Sequence, residues 1–158
     1  MPPRKPLPDT GRAAAARPTR HGRDPERTRA RLLAAARREF MRHGFSGARV
    51  ERIARSARSS ERMLYYYFGS KEKLYLAVLE GVYADLGAAE SALVLDASRP
   101  VEALTRLVEF TFGYYLAHPE FVALLSNENL MRGRHITKSV KVKRLSRPLL
   151  DVLETILV

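Results

Sequence analysis

A chain of 158 residues with 46% hydrophobic content is long enough and apolar enough to fold as one domain or two small ones, which excludes wholesale disorder. Its 28 Lys and Arg outnumber 17 Asp and Glu, for a net charge of +11, and the lack of cysteine excludes disulfide frameworks, thiolate zinc sites and cysteine nucleophiles. No apolar run approaches the roughly 18 residues that span a bilayer, and the four histidines are scattered, so we expect a soluble cytoplasmic protein with no membrane segment, metal or cofactor.

The positive charge is concentrated in the first half of the chain. Residues 1–75 hold 19 Lys and Arg against 7 acids, whereas residues 76–158 hold 9 against 10. A basic half beside a neutral half is typical of a polyanion-binding module attached to a separate body. An arginine-rich composition with a solvated basic tail is the alternative explanation.

Residues 1–24 contain five prolines and few large apolar side chains, which predicts a disordered basic arm. This arm is either a solvated tail or a cationic extension that lies along DNA. A helix should begin at Asp24-Pro25-Glu26, because Asp is favoured at the N-cap and Pro at the first helical position. Apolar residues then recur at helical spacing, and Gly44 is expected to close this first helix.

Two short helices joined by a turn are predicted next. The first covers about residues 48–57, Ser60 caps a second over 61–67, and Ser70 caps a long helix from 71 to about 93. Two short helices that cross at a tight turn and are braced by a longer helix form the helix-turn-helix plan. We therefore predict a helix-turn-helix domain over 25–73.

Residues 74–158 are predicted to form a second helical domain. Helical spacing of apolar residues indicates helices over 100–117, 120–132 and 137–158, and Pro148 should kink the last of these. No alternating pattern typical of strands appears. The predicted fold class is all-α, with a three-helix helix-turn-helix domain followed by a helical bundle.

The second short helix has one face for the protein and one for a partner. On a helical wheel, Leu64 and Phe68 define the inward stripe, and Arg62 and Tyr66 point away from it. Arg can bind guanine, Glu can accept from the cytosine amino group, and apolar groups can contact the thymine methyl. The tyrosine run at 65–67 could instead pack between helices, but three consecutive positions cover too wide an arc for all to be buried.

Lys71 lies where a cation is locally unfavourable, at the start of the long helix. A DNA phosphate at that helix end would contact Lys71 and the free backbone amides together. A solvated lysine is the alternative.

The order of residues over about 47 positions resembles the DNA-binding domain of TetR/AcrR-type transcriptional regulators. The motif reads Thr28-Arg29…Leu33-x-Ala35-Ala36…Phe40…Gly44-Phe45…Val50-x-x-Ile53-Ala54…Ala57-x-x-Ser60…Leu64-Tyr65-x-Tyr67-Phe68-x-Ser70-Lys71-x-x-Leu74. Residues 121–149, with Asn127-Glu128-Asn129-Leu130-x-Arg132-Gly133-Arg134, look like the C-terminal domain of a subgroup that includes a pyrimidine-responsive regulator.

The resemblance implies that the helix-turn-helix domain is followed by a helical ligand-binding and dimerisation bundle. It also implies a homodimer that binds a palindromic operator in double-stranded DNA, usually as a repressor that a small-molecule effector releases. It places Arg49 at a phosphate-contacting position and makes Lys71 the phosphate-binding lysine. It also places base-reading positions on the second short helix and a phosphate contact at Tyr67. Together with the wheel, it predicts the DNA-binding set Arg49, Arg52, Ser60, Glu61, Arg62, Met63, Tyr65, Tyr66, Tyr67 and Lys71.

The chain departs from the family pattern in the turn of the helix-turn-helix. The family usually has Gly and then an apolar residue where this chain has Arg58 and Ser59, and Ala48 and Arg49 replace the usual Thr and Ser. Glycine supplies a positive φ without steric penalty. We therefore predict a left-handed or otherwise strained backbone at Arg58.

The body departs from the family at its end. Members usually continue for two further long helices that form the dimer's four-helix bundle, whereas this sequence stops at Leu157-Val158 inside an apolar stripe. The resemblance therefore predicts a truncated product or a different dimer, and an uncovered apolar face favours association. The candidate effector pocket consists of Phe110, Tyr114, Tyr115, Phe121, Asn127 and Arg132, all of which could equally be ordinary core.

The sequence predicts a nucleoid-associated bacterial transcriptional regulator, most simply a repressor that recognises a specific DNA sequence. No Ser/His/Asp spacing, glycine-rich phosphate loop, metal-ligand set or paired carboxylates appear, so an enzyme is not expected. The alternative is a basic helical protein that binds nucleoid DNA or RNA without sequence preference.

Overall fold

A computed structural model describes residues 24–157, and the predicted arm over 1–24 lies outside the described residues except for Asp24. Seven α-helices follow in chain order, and no strand occurs in this part of the chain, which confirms the all-α prediction. The helices are α1 (Pro25–Gly47), α2 (Val50–Ser56), α3 (Glu61–Phe68), α4 (Lys71–Glu90), α5 (Pro100–Ala117), α6 (Pro119–Leu130) and α7 (Val140–Leu157), with a short 3₁₀ helix at Ile136–Lys138.

Helix α1 begins where the capping signal places it and breaks at the predicted glycine. The Asp24 carboxylate accepts hydrogen bonds from the backbone N–H groups of Glu26 and Arg27, at 3.1 and 3.3 Å. Gly44 has φ +62°, which interrupts the helical dihedrals, and one further turn carries the element to Gly47. The chain then bends sharply into α2.

Three predicted boundaries differ from the structure for local reasons. Helix α2 begins at Val50 because Arg49 is extended, with φ −120°. Helix α4 ends at Glu90, three residues early, where the Ser91 hydroxyl bonds the Ala88 carbonyl at 2.7 Å. The predicted helix over 137–158 is interrupted at Ser139, an extended residue whose hydroxyl accepts the Val142 N–H at 3.1 Å.

One hydrophobic core connects the helix-turn-helix with the body. Helix α1 packs against α2, α3, α4 and α6, and this arrangement buries large side chains from all of them. The fully buried members include Leu32, Phe40, Ile53, Leu64, Leu74, Tyr75, Leu79 and Leu124. At the surface of this core, Arg37 of α1 bridges Asp85 of α4 at 2.9 Å and Glu120 of α6 at 3.3 Å. Arg37 therefore links α1 directly to both α4 and α6.

Candidate nucleic-acid interface

Helix α3 has a buried back and an exposed front, as its periodicity predicts. Leu64 is fully buried and Phe68 is 7% exposed, whereas Tyr66 is 78% exposed and Arg62 is also exposed. The Arg29 guanidinium lies 5.1 Å from the centre of the Phe68 ring and covers it. The predicted exposure of Tyr66 is confirmed.

The remaining predicted contacts on α3 lie along its two flanks and at its start. Glu61 and Tyr65 are exposed on one flank, and Met63 and Tyr67 are half-buried on the other. At the start of the helix, the Ser60 hydroxyl accepts the Met63 N–H at 3.3 Å, so Ser60 serves as the N-cap. Helix α3 therefore presents one continuous polar and aromatic surface.

A buried carboxylate holds α2 against α1. Glu39 accepts hydrogen bonds from the Arg49 N–H at 3.0 Å and from the Arg52 Nε at 2.7 Å. Burial raises the pKa of the Glu39 carboxyl, but the hydrogen bond from Arg52 and the one from the Arg49 backbone outweigh it and leave the pKa below its ordinary value. The predicted DNA contact Arg52 also donates from Nη2 to the Gly47 carbonyl at 2.9 Å, so its Nε and Nη2 are engaged within the fold.

The side chain of Arg49 differs from that of Arg52, although both belong to the same turn. Only the backbone of Arg49 is held by Glu39, and its exposed guanidinium has no ion pair among residues 24–157. Arg49 therefore presents a free cation at the amino end of α2, while Arg52 braces that end from behind.

Lys71 begins α4 and is held in place by an aromatic ring. Its ammonium lies 4.9 Å from the centre of the Phe45 ring, which offsets the unfavourable helix dipole. The next residue, Glu72, has a lowered pKa because its carboxylate accepts from its own backbone N–H and then from the Ser70 hydroxyl. The free backbone N–H groups at this helix end would stabilise a DNA phosphate in the same way.

The turn between α2 and α3 contains a left-handed arginine. Arg58 has φ +50°, which confirms the predicted strain. The Ser59 N–H bonds the Ala54 carbonyl at 2.9 Å and the Arg58 N–H bonds the Arg55 carbonyl at 3.1 Å, so the helix ends in a Schellman motif. Arg58 occupies the position of that motif where glycine is favoured, at a cost of about 1–2 kcal/mol.

Most arginines of the first three helices have no acidic partner. Within residues 24–157, only Arg37 and Arg52 of this region form ion pairs. The unpaired ones are Arg27, Arg29, Arg31, Arg38, Arg42, Arg49, Arg55, Arg58 and Arg62. This excess of uncompensated positive charge gives the helix-turn-helix a field that attracts polyanions.

The predicted effector residues form one cluster and two outliers. Phe121 is buried, and its ring centre lies 5.6 Å from that of Tyr115 and 5.9 Å from that of Tyr114, which in turn lies 5.9 Å from that of Phe110. Asn127 instead bonds the Ala123 carbonyl at 2.8 Å and lies under Gly44. The other outlier, Arg132, is exposed with φ +55°.

Two cavities of the body have linings other than the predicted effector residues. One of about 210 Å³ lies beside α5 and includes Arg99 and Glu102. Another, of about 260 Å³, lies between α4 and α7 and includes Glu90, whose pKa burial raises, and Leu145. These two cavities offer space for a small molecule, and none of the residues that line them was among the predicted effector residues.

The sequence analysis also did not identify a buried carboxylate in the last turn of α6. Glu128 is 1% exposed and accepts from the backbone N–H groups of His135, at 2.5 Å, and Ile136, at 2.8 Å, and faces the His135 Nδ1 at 3.1 Å. The His135 ring centre lies 4.6 Å from that of Phe45, so this turn packs on the last turn of α1. The signal in the sequence was an acid in the last turn of a helix, five residues before Gly133, because such a carboxylate needs donors when it is buried.

Two family models match this chain, and each describes one of its halves. Residues 32–78 match a model described as bacterial regulatory proteins, tetR family, and residues 100–158 match one described as Tetracyclin repressor-like, C-terminal domain. Together they cover about two thirds of the chain. No helix in the described part of the chain is long and apolar enough to cross a membrane.

Curated relatives carry the same description. The chain is 48% identical over 132 residues to the HTH-type transcriptional repressor NicS of Pseudomonas putida, covering 84% of this chain and 62% of the relative. It is 40% identical over 111 residues to the HTH-type transcriptional repressor SCO4008 of Streptomyces coelicolor, covering 70% and 54%. The chain thus spans less than two thirds of the length of these relatives.

Solved structures show the same architecture. The putative transcriptional regulator SCO4942 from Streptomyces coelicolor matches with a TM-score of 0.58 at 34% identity, covering 80% of this chain and 63% of that one. A TetR-like transcriptional regulator from Rhodococcus sp. RHA1 matches with a TM-score of 0.59 at 26% identity, covering 81% and 70%.

Proposed function

This chain belongs to the TetR family of bacterial transcriptional regulators, and from that premise we propose that it binds a specific DNA sequence as a repressor. The observation that carries the proposal is the division of α3 into a back closed by Leu64 and Phe68 and a front that exposes Arg62 and Tyr66. A helix anchored in this way can enter a major groove while Leu64 and Phe68 keep their contacts with the core.

The front and the ends of α3 have distinct roles in this proposal. Arg62 and Glu61 read base edges, because their donors and acceptor are exposed and free of ion pairs within the described residues. Arg49 and Lys71 hold phosphates on either side and set the register of α3 in the groove. Arg52 supports the site through Glu39 and does not itself need to touch DNA.

Release by a small molecule has a direct structural route in this fold. Asn127 of α6 lies against Gly44, and His135 after α6 packs on Phe45, so a shift of α6 changes the bend at the end of α1. A ligand that fits the body better in the shifted arrangement would reduce the population that binds DNA. We propose the aromatic cluster around Phe121 as the effector region and residues 74–158 as the regulatory domain.

A homodimer on a palindromic operator is the corresponding assembly. Helix α5 supports it with a stripe of apolar side chains, exposed by 65–78%, at Val101, Val108, Phe112 and Leu116. Such a stripe favours association in water. Sedimentation or light scattering should show dimers at high micromolar concentration, and a stable monomer there would count against this part of the proposal.

The alternative is a basic protein that binds nucleic acid without sequence preference. The net charge favours this alternative, whereas the family favours a sequence-specific regulator. Selection of bound fragments from genomic DNA with purified protein separates the two. A regulator should enrich a shared palindrome and bind it about 10³-fold or more tightly than random duplex at physiological salt. Enrichment without a shared motif would overturn the proposed function and favour the alternative.

A further inference from the structure

The left-handed Arg58 is a strained residue that its own motif does not require. Every hydrogen bond of the Schellman turn is made by backbone atoms, so glycine would keep all of them and remove the steric conflict. Strain of this kind, held in place by the surrounding structure, is a reason to look for a role of the side chain.

The Arg58 side chain faces two adjoining polar cavities. One, of about 280 Å³, is lined by Arg31 and Arg58 together with hydroxyl-bearing residues that include Thr28, Ser60 and Tyr67. The second, of about 360 Å³, shares both arginines. It is also lined by Arg27 and Arg38. Among residues 24–157, no carboxylate lines either cavity, and none forms an ion pair with these four arginines.

The first cavity lies beside α3, and the second lies between α1 and the end of α2. Met63 and Tyr67, which line the first cavity, occupy the half-buried flank of α3, while Arg62 and Tyr66 point outward. When a helix lies in a major groove with its front on the bases, its flanks face the phosphate strands that wall the groove. The first cavity is therefore on the side of a phosphate strand, and the second extends it toward α1 through the two arginines that they share.

We propose that Arg58 and Arg31 form a second phosphate site, in addition to the contacts of Arg49 and Lys71, and that it holds the DNA backbone at the amino-terminal flank of α3. The inference rests on the proposed DNA-binding function and adds a contact opposite Lys71. Helix α3 has eight residues and is about 12 Å long, so Arg58 before its start and Lys71 after its end can hold two separate stretches of phosphate backbone. In this proposal, the phosphate contact of the Arg58 side chain accounts for an arginine at a position that favours glycine.

The test compares Arg58→Gly with Arg58→Lys on an end-labelled random-sequence duplex of about 30 base pairs, titrated over a range of salt concentrations. Loss of one phosphate contact should lower the magnitude of the log K against log salt slope by about 0.9 and weaken binding roughly eightfold at about 0.1 M salt. Arg58→Gly should show both effects while its Tm rises by about 2–4 °C, because the left-handed strain is removed. Arg58→Lys should keep the wild-type slope without that rise.

Two control variants make the result specific. Lys141→Gln removes one positive charge from the exposed face of α7 and should leave the slope unchanged. Lys71→Ala removes the proposed contact at the other end of α3 and should lower the slope by about 1.

Each remaining outcome separates the two proposals. A normal slope in Arg58→Gly, with a lowered slope in Lys71→Ala, overturns the second phosphate site and leaves DNA binding in place. An equal change in Arg58→Gly and Lys141→Gln also overturns the site, since net charge alone would then account for it. Failure of the unmodified chain to bind duplex DNA overturns the proposed function and this inference with it.

Discussion

The ion pair of Glu39 and Arg52 predicts how the DNA-binding surface is held in shape. Glu39 is 11% exposed at its side chain, and it accepts from the Arg49 backbone and the Arg52 guanidinium at 2.6–3.0 Å. Hydrogen bonds to a charged group contribute about 1.5–3 kcal/mol, and Arg52 is 38% exposed, so solvent screening reduces its share. We expect Glu39→Ala to destabilise the chain by about 2 kcal/mol, which lowers Tm by about 4–8 °C.

Thermal unfolding at several pH values tests this reasoning. The pKa of Glu39 is lowered in the fold from an ordinary value of 4.5, so its contribution is complete above that pH and is lost as pH falls through the folded pKa. The stability gap between the unmodified chain and Glu39→Gln should therefore shrink in acid. Glu51→Gln, an exposed acid on α2 with no ion pair in the described part of the chain, is the matched control and should change stability by no more than about 0.5 kcal/mol. A gap that stays constant with pH, or a Glu39→Ala variant as stable as the control, would refute the account.

Four further substitutions, one of them a control, probe the packing behind the site, and each is measured by denaturant unfolding. Gly44→Ala should lose about 2–4 kcal/mol, because φ is +62° and the new Cβ would collide with the Asn127 Oδ1; a loss below about 0.5 kcal/mol would show that α1 bends freely there. Leu64→Ala should lose about 2–5 kcal/mol while Tyr66→Ala stays within about 0.5, and equal losses would contradict the assigned faces of α3. Glu128→Ala should lose about 2–4 kcal/mol because it leaves two backbone N–H groups without their acceptor, and a neutral result would show that water replaces the carboxylate.

Local rules predicted the features of α3 and its turn that depend on neighbours in the chain. The spacing of Leu64 and Phe68 was enough to assign the faces of the helix, and the exposure of Tyr66 follows from it. The left-handed backbone of Arg58 also follows locally, because a tight helix-to-helix turn needs one residue at positive φ whatever its side chain.

Features that depend on residues far apart in the chain could not be predicted from the sequence. Glu39 meets Arg52 only because α1 and α2 cross, and it also binds the backbone N–H of the extended Arg49, after which α2 begins at Val50. The Ser139 hydroxyl, which restarts α7, also donates to Glu80 of α4 at 2.7 Å, a partner 59 residues away. The predicted effector residues do not form one site: the aromatic ones cluster, Asn127 lies against Gly44 and Arg132 is exposed, because helical spacing does not determine which neighbour a face meets.

The account depends most on the exposed front of α3 reading base pairs. The direct measurement is the ratio of affinities for the selected palindrome and for random duplex, taken for the unmodified chain, Arg62→Ala and Tyr66→Ala. Loss of one bidentate base contact is worth about 1–3 kcal/mol, so Arg62→Ala should reduce the ratio by about 5- to 150-fold while random-duplex binding changes far less. An unchanged ratio in both variants would contradict the assignment of α3 as the recognition helix.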